Sequence, residues 1–444
     1  MHQDQPSRRG LASCRSAQWR ALLIAVSLAL AEHSEGAGAG ERPSTVWGDV
    51  LLATPPTHLL PRALETEKAL TAAFAPAANG RDRHDARGAL LNADSVVLIS
   101  VITLANDRAE SFQVPLTTGH TVRIHVAQII LGGTVIAFSP LSRSVLTSVP
   151  LLGARVLRLR ERPAFERLHD EAMKAGMEFA RLAQARGQAI GARARSASVR
   201  RRTFGALQLE AGRKDGVMPG MMVSVVNAAA DTGIECTVQA VGADTAELNC
   251  PTSPGDDTVG VFLRSVGVGT ERYQVSTASI TSAKARAVLG DAVAADEAMA
   301  AFAAADALAA TGLTVLPPGG EEGERLTQQG IRQFAAAHGI ADAELQRFSL
   351  NFPPAEVQVA VVVDGYNTQI VGGSPIKRIR AHKAWATITD SRGRRAEGVG
   401  VERIEEIEGW QDNAPQAADA RQAIRKAVAC ATSRLLGGEA EECR

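Results

Sequence analysis

Val357–Asp364 reads VQVAVVVD, a nearly unbroken β-branched run that predicts a core strand. After it, Ile376–Thr389 and Glu397–Ile404 read as a hairpin around Asp390-Ser391-Arg392-Gly393. Ala417–Leu436 then reads as a closing helix, with Ile424, Val428 and Leu435 on its apolar side. Before it come a strand at Tyr273–Ile280, an Ala-rich helix at Ala287–Thr311 ended by Gly312, and a short strand at Leu313–Leu316 stopped by Pro317-Pro318. A helix at Glu324–His338, ended by Gly339, completes this part. The order β-α-β-α-β-β-β-α over residues 270–436 predicts an α/β sandwich with helices packed on a mixed sheet, followed by a tail at 437–444.

Residues 45–190 predict a second α/β domain. A helix starts after Pro61 and carries Leu64, Leu70 and Phe74 near one face. Ser95–Leu104 (SVVLISVITL) reads as a central strand, and Thr121–Leu131 as a half-buried one that Gly132-Gly133 turns back into Thr134–Phe138. Val156–Leu159 reads as a further short strand, and Pro163 opens a long helix through Phe165, Leu168, Ala172, Met173, Met177 and Leu182. Residues 191–203 (GARARSASVRRRT) are basic and poor in apolar residues, the pattern of a linker. Residues 204–264 hold five short strand patterns, which close most naturally as a small barrel. Between the first two of them, Gly212, Gly216 and Gly220 suit tight turns, and Val217 is placed to plug the barrel end. The expected fold class is α+β multidomain, two α/β sandwich modules with mixed sheets flanking a small SH3-like β-barrel. Ser95–Ala185 and Val357–Leu436 share one coarse pattern of core strand, long loop, hairpin and closing helix, as an ancient duplication would leave.

The amino terminus reads as an export signal. Arg8, Arg9, Arg15 and Arg20 precede the apolar run ALLIAVSLALA at 21–31, which is too short to span about 30 Å of hydrocarbon as a helix. Ala29-Leu30-Ala31 places small residues where a signal peptidase reads, so residues 1–31 are expected to be cleaved after Ala31. Residues 32–44 form a flexible leader rich in Gly, Ala, Ser and Glu. Cleavage removes Cys14 and leaves Cys236, Cys250, Cys430 and Cys443. Cys236 and Cys250 fall opposite each other in a hairpin folded at Gly242-Ala243-Asp244, and a tail turning back after Gly437-Gly438 brings Cys443 to Cys430. Two disulfides in an oxidising, periplasmic or extracellular setting are the expectation.

The 444 residues carry 48 Lys+Arg and 48 Asp+Glu, a net charge of +0, which argues against a general nucleic-acid or anionic-membrane binder. Aromatics at 4% leave little for base or sugar stacking. No metal, cofactor or catalytic signature stands out. His120 and His125 fall on opposite faces of a strand, His169 sits among helix-surface charges, and His338 caps a helix. Glu402, Glu405, Glu406 and Glu408 cluster without a calcium-loop pattern. No serine sits in a nucleophile elbow. Two basic segments remain as candidate partner-binding sites. One is Val371–Ala381 (VGGSPIKRIRA), in which Gly372 and Gly373 lead to Lys377, Arg378 and Arg380 on an expected edge strand able to accept a partner strand. The other is Arg200, Arg201 and Arg202 in the basic stretch, suited to an acidic partner or an anionic envelope polymer.

The strand order over 270–436, with its Thr387–Gly393 turn, resembles the amino-terminal domain of the translocation protein TolB and the periplasmic body of the curli-secretion lipoprotein. The Leu207–Gly220 segment resembles the small carboxy-terminal barrel of flagellar assembly protein T, with the barrel central here and last there. These families are scaffolds without catalytic residues. The resemblance implies a non-enzymatic envelope protein, without cofactor, that binds other envelope proteins and assists assembly of a surface, flagellar or secretion structure. A periplasmic module binding a ligand or anionic polymer is the alternative.

Overall fold

The computed structural model describes residues 44–53, 64–74, 95–115, 121–139, 142–159, 164–201, 206–227, 230–255, 258–266, 271–340, 352–373, 377–407, 417–438 and 443. The expected signal at 1–31, most of the leader, His120 and Arg202 lie outside them.

The first sheet is built from β1 (Ser44–Leu52), β2 (Ser95–Pro115), β3 (Thr121–Ser139) and β4 (Ser144–Leu159), in that spatial order. β1 runs parallel to β2, and the later pairs are antiparallel. The parallel step needs a crossover, supplied around α1 (Leu64–Phe74). Together with α2 (Phe165–Gln188), α1 covers one face: Leu70, Phe74, Phe179, Ala180 and Ala183 pack with Leu98, Leu131, Val135 and Leu151.

Gly132-Gly133 does not turn the chain, as the sequence suggested. β3 passes straight through, paired with β2 and β4 on either side. The glycines serve close packing instead. A Cβ at Gly132 would lie 2.8 Å from the Phe302 ring, and one at Gly133 would lie 2.6 Å from the Val101 carbonyl oxygen and 2.8 Å from Phe179.

The expected linker is also a strand. β5 (Gly191–Arg201) pairs with β10 (Thr258–Val266) and β6 (Leu207–Leu209). With β7 (Met222–Asn227), β8 (Ala230–Val241) and β9 (Ala246–Asn249) they close a barrel of order β10-β5-β6-β9-β8-β7, so it has six strands rather than five. Arg195 and Arg200 on β5 are exposed while Val199 packs inside, which is why the stretch reads as polar. Val217 is buried in the barrel core, and Gly216 and Gly220 take φ of 83° and 80° as their turns require. The barrel docks on the β3–β4 turn. Met222 N donates to Ser142 O at 2.8 Å, and Arg143, itself at φ 46°, pairs with Glu235 at 2.8 Å.

The second sheet has the order β12-β11-β13-β14-β15. Its elements are β11 (Arg272–Ile280), α3 (Ala283–Leu289), α4 (Val293–Ala310), β12 (Thr314–Val315), α5 (Gly320–Ala337), β13 (Val357–Gly373), β14 (Lys377–Asp390), β15 (Arg395–Ile407) and α6 (Ala417–Leu435). β11 is parallel to β12 and β13, and β14 and β15 follow antiparallel. The sandwich over 270–436 keeps the strand order read from the sequence, but the single helix expected at Ala287–Thr311 is two, α3 and α4, parted at Gly290, which takes φ of 67°. The core β1-β2-β3-β4 and the core β11-β13-β14-β15 repeat one topology: a parallel pair, two antiparallel additions and a closing helix.

The two sheets share cores. α4 is apolar nearly all round because it touches both: Ile130 and Leu152 of the first sheet and Val275, Val359 and Val361 of the second belong to one cluster with Met299, Phe302 and Leu308. α5 contributes Ile331 and Phe334 to a cluster with Val97, Ile99 and Val101 of β2. His338, at the α5 carboxy terminus, lies with Nε2 2.9 Å from Asp49 Oδ2 of β1. The described residues after the leader fall within one compact unit, Pro43–Arg444.

At the centre of this shared core sits a buried ion pair. Arg421 of α6 donates from Nε to Asp296 Oδ1 of α4 at 2.6 Å and from Nη2 to Oδ2 at 3.3 Å. Its Nη1 donates to Gln128 Oε1 of β3 at 2.8 Å. Arg421 and Asp296 are 2% and 0% exposed, so each charge depends on the other for solvation. Arg421→Met, which leaves Asp296 buried without its counterion, is expected to cost about 3–5 kcal/mol in denaturant unfolding. Arg421→Met with Asp296→Leu should recover most of that loss.

Candidate protein-interaction surface

Both disulfides form. Cys236 joins Cys250 across the β8–β9 pair, with Cα atoms 4.3 Å apart, and Cys430 of α6 joins Cys443 with Cα atoms 5.1 Å apart. The first continues the register Val238↔Leu248 and Thr237↔Asn249 by one further step. They fit an oxidising, exported environment. No described helix is long and apolar enough to cross a membrane.

The basic segment expected on an edge lies in the middle of its sheet. β14 pairs with β13 on one side and β15 on the other from Lys377 onward, so it has no free edge for a partner strand. Gly372 and Gly373 are not a loop either; they pair with Ile379 and Arg378. Local residue pattern does not show whether a strand has one neighbour or two. The three strands run on together as a ribbon, and on β13 it carries Ile370 and Val371, 50% and 46% exposed. Large apolar side chains held out at an irregularity in the β13–β14 pairing, between Ile370 and Gly372, are the feature that residue-by-residue reading missed.

The base of the ribbon is fixed by a buried polar group. Arg380, expected on the surface, is 5% exposed and lies on the same face of β14 as His382. The Tyr366 hydroxyl lies 2.8 Å from His382 Nδ1, and His382 Nε2 is 3.9 Å from Asp419 Oδ2 of α6. Burial pushes the Tyr366 phenol well above its usual range, the Asp419 charge adds to this, and Arg380 opposes it. The buried hydroxyl and His382 Nδ1 share one hydrogen bond, and the other ring nitrogen faces Asp419. The group ties β13 and β14 to α6 by polar contacts inside the fold.

The turn that the sequence singled out is organised by Asp390. Its carboxylate accepts from Arg392 N at 3.0 Å, Arg394 N at 2.9 Å and Arg394 Nε at 2.6 Å. Burial would raise its pKa, but these donors and the Arg394 charge together hold it below the ordinary carboxylate value.

The barrel arginines are engaged in the barrel wall. Arg200 pairs with Glu210 at 2.7 Å, and Arg201 donates to Ser253 Oγ at 2.6 Å and Pro254 O at 3.2 Å. A small cavity of about 120 Å³ lies where the Val217–Pro219 loop meets Arg272 and Pro353-Pro354. Among the described residues no group of three or more His, Cys, Asp or Glu is placed to hold a metal ion. Glu402 pairs with Lys426 at 2.7 Å, and the His169 ring lies 6.3 Å from that of Phe165.

No family model matches this chain, and no curated protein matches it in sequence.

The buried phenol makes a pH prediction. With the folded pKa raised, its contribution to stability is complete below the unfolded value of about 10 and is lost as pH rises above it. Tyr366→Phe should cost about 1–3 kcal/mol at neutral pH by removing the hydroxyl from its buried hydrogen bond with His382 Nδ1. The difference between wild type and Tyr366→Phe, followed by urea unfolding, should narrow as pH rises above about 10.

Proposed function

We propose that this chain is an exported, non-enzymatic envelope protein that binds other proteins and assists assembly of a surface, flagellar or secretion structure. The observation that carries the reading is the β13–β14–β15 ribbon. It offers Ile370 and Val371 to solvent from a base held by Tyr366, His382 and Asp419, so the apolar side chains are presented on an ordered support. The export signal read at 1–31 and the two disulfides support an envelope setting. The reading also leans on the resemblance to TolB-type and flagellar assembly modules drawn from the sequence of residues 207–220 and 270–436. Arg200 and Arg201, on which a polymer-binding reading would lean, already have partners within the barrel.

The test is native purification from the cell envelope. The chain should begin at Glu32, and Cys236, Cys250, Cys430 and Cys443 should resist thiol labelling under denaturation. Ile370→Asp with Val371→Asp should reduce co-purifying proteins about tenfold or more, with thermal stability unchanged. Full-length cytosolic chain with reactive thiols, or undiminished partner recovery by the double variant, would refute the reading.

A further inference from the structure

Among the described residues β15 is the last strand of the second sheet, with a strand neighbour on one side only. Its hydrogen-bonding direction follows from the turn before it. Asp390 N donates to Arg394 O, so even-numbered residues of β15 direct their backbone groups at β14 and odd-numbered ones direct theirs outward. Two contacts agree: Arg434 Nη1 donates to Glu397 O at 2.9 Å and Lys426 Nζ donates to Val401 O at 3.2 Å, both from α6.

The side chains divide the same way. Even positions face α6, where Gly398 and Gly400 lie directly beneath the backbone of Ala427 and Ala423. The odd positions on the opposite face read Arg395, Glu397, Val399, Val401 and Arg403. From Glu397 to Arg403 this series is complementary to its own reverse. Two antiparallel copies centred on Gly400 set Glu397 against Arg403 and Val399 against Val401, each pairing occurring twice. Other registers that keep the faces matched lose this. Centring on Val399 opposes Arg395 with Arg403, and centring on Val401 opposes Arg403 with Val399.

We propose that two copies of this chain pair edge to edge through β15, antiparallel about a two-fold axis at Gly400, joining two five-stranded sheets into one of ten strands. The partner is a second copy because the charge order matches its own reversal. The Arg395–Glu397 pair within one strand, 3.0 Å apart and exposed, then has Arg403 of the second copy beside it across the junction. The α6 donors to Val401 and Glu397 leave each carbonyl a second lone pair, which the incoming strand's N–H groups use. The same two cations would serve a monomer by shielding its edge, and that is the competing outcome.

Sedimentation of the purified chain at rising concentration decides between them. Wild type should reach twice the chain mass. Glu397→Arg, which opposes two arginines at both ends of the junction, should weaken the dimer about tenfold or more, and Arg403→Glu should do likewise. Both side chains are exposed, so melting temperature should not change at concentrations where wild type is monomeric. Glu397→Arg combined with Arg403→Glu restores opposite charges in the same register and should restore the dimer. Wild type monomeric throughout, single variants that dimerise as wild type does, or a double variant that stays dissociated would each overturn the proposal.

Discussion

Everything in this fold meets at Arg421. Its guanidinium reaches α4 through Asp296 and β3 through Gln128 while its own backbone belongs to α6. The ion pair joins two helices of the second sandwich, and the bond to Gln128 carries it to the first sheet, so Arg421 makes all three bonds only when the sheets are assembled against each other. Two charges this deep gain little net free energy over apolar residues of the same shape. What they impose is uniqueness: α4 and α6 cannot rotate or slide without leaving a charge unpaired in the interior. The surroundings are correspondingly small-grained. Ala420, Ala423, Ala427 and Ala431 bring α6 close onto β15, where Gly398 and Gly400 make room for it.

From that constraint the placement of the surface follows. α6 holds Asp419 two residues before Arg421, and Asp419 faces His382 at the base of the ribbon. The helix that locks the two sheets therefore also fixes where β13 and β14 leave the body of the molecule. Ile370 and Val371 are carried outward by strands whose inner ends are buried among Tyr366, His382 and Arg380. Presentation of apolar side chains on such a support lowers the ordering cost of binding, since the strand that carries them is already held against β14 on either side of Val371.

The parts legible from sequence were those set by local pattern. VQVAVVVD, the Asp390 turn and the closing helix gave the order of the second sandwich, and the symmetric spacing of Cys236 and Cys250 about Ala243 gave their pairing. The parts that were not legible depend on residues distant in the chain. Gly132-Gly133 looks like a turn, yet what requires glycine there is Phe302 on one side and Phe179 with the Val101 carbonyl on the other. Residues 191–201 look like a linker because a barrel strand with small residues inside and arginines outside has almost no apolar periodicity. Arg380 reads as solvent-directed because nothing nearby in sequence shows that its face of β14 is buried. The edge strand was assigned to β14 when the edge belongs to β15, since neighbour count is a property of topology alone.

Native-state hydrogen exchange on the whole chain tests most directly whether one shared interior holds both sheets. If it does, the slowest amides of β3 and of β14 exchange with the same opening free energy and respond alike to denaturant, because neither sheet keeps its core when the other is lost. Exchange of β3 through a separate, lower-energy opening that leaves β14 protected would contradict that account, and would make the two sheets independent bodies joined by chain.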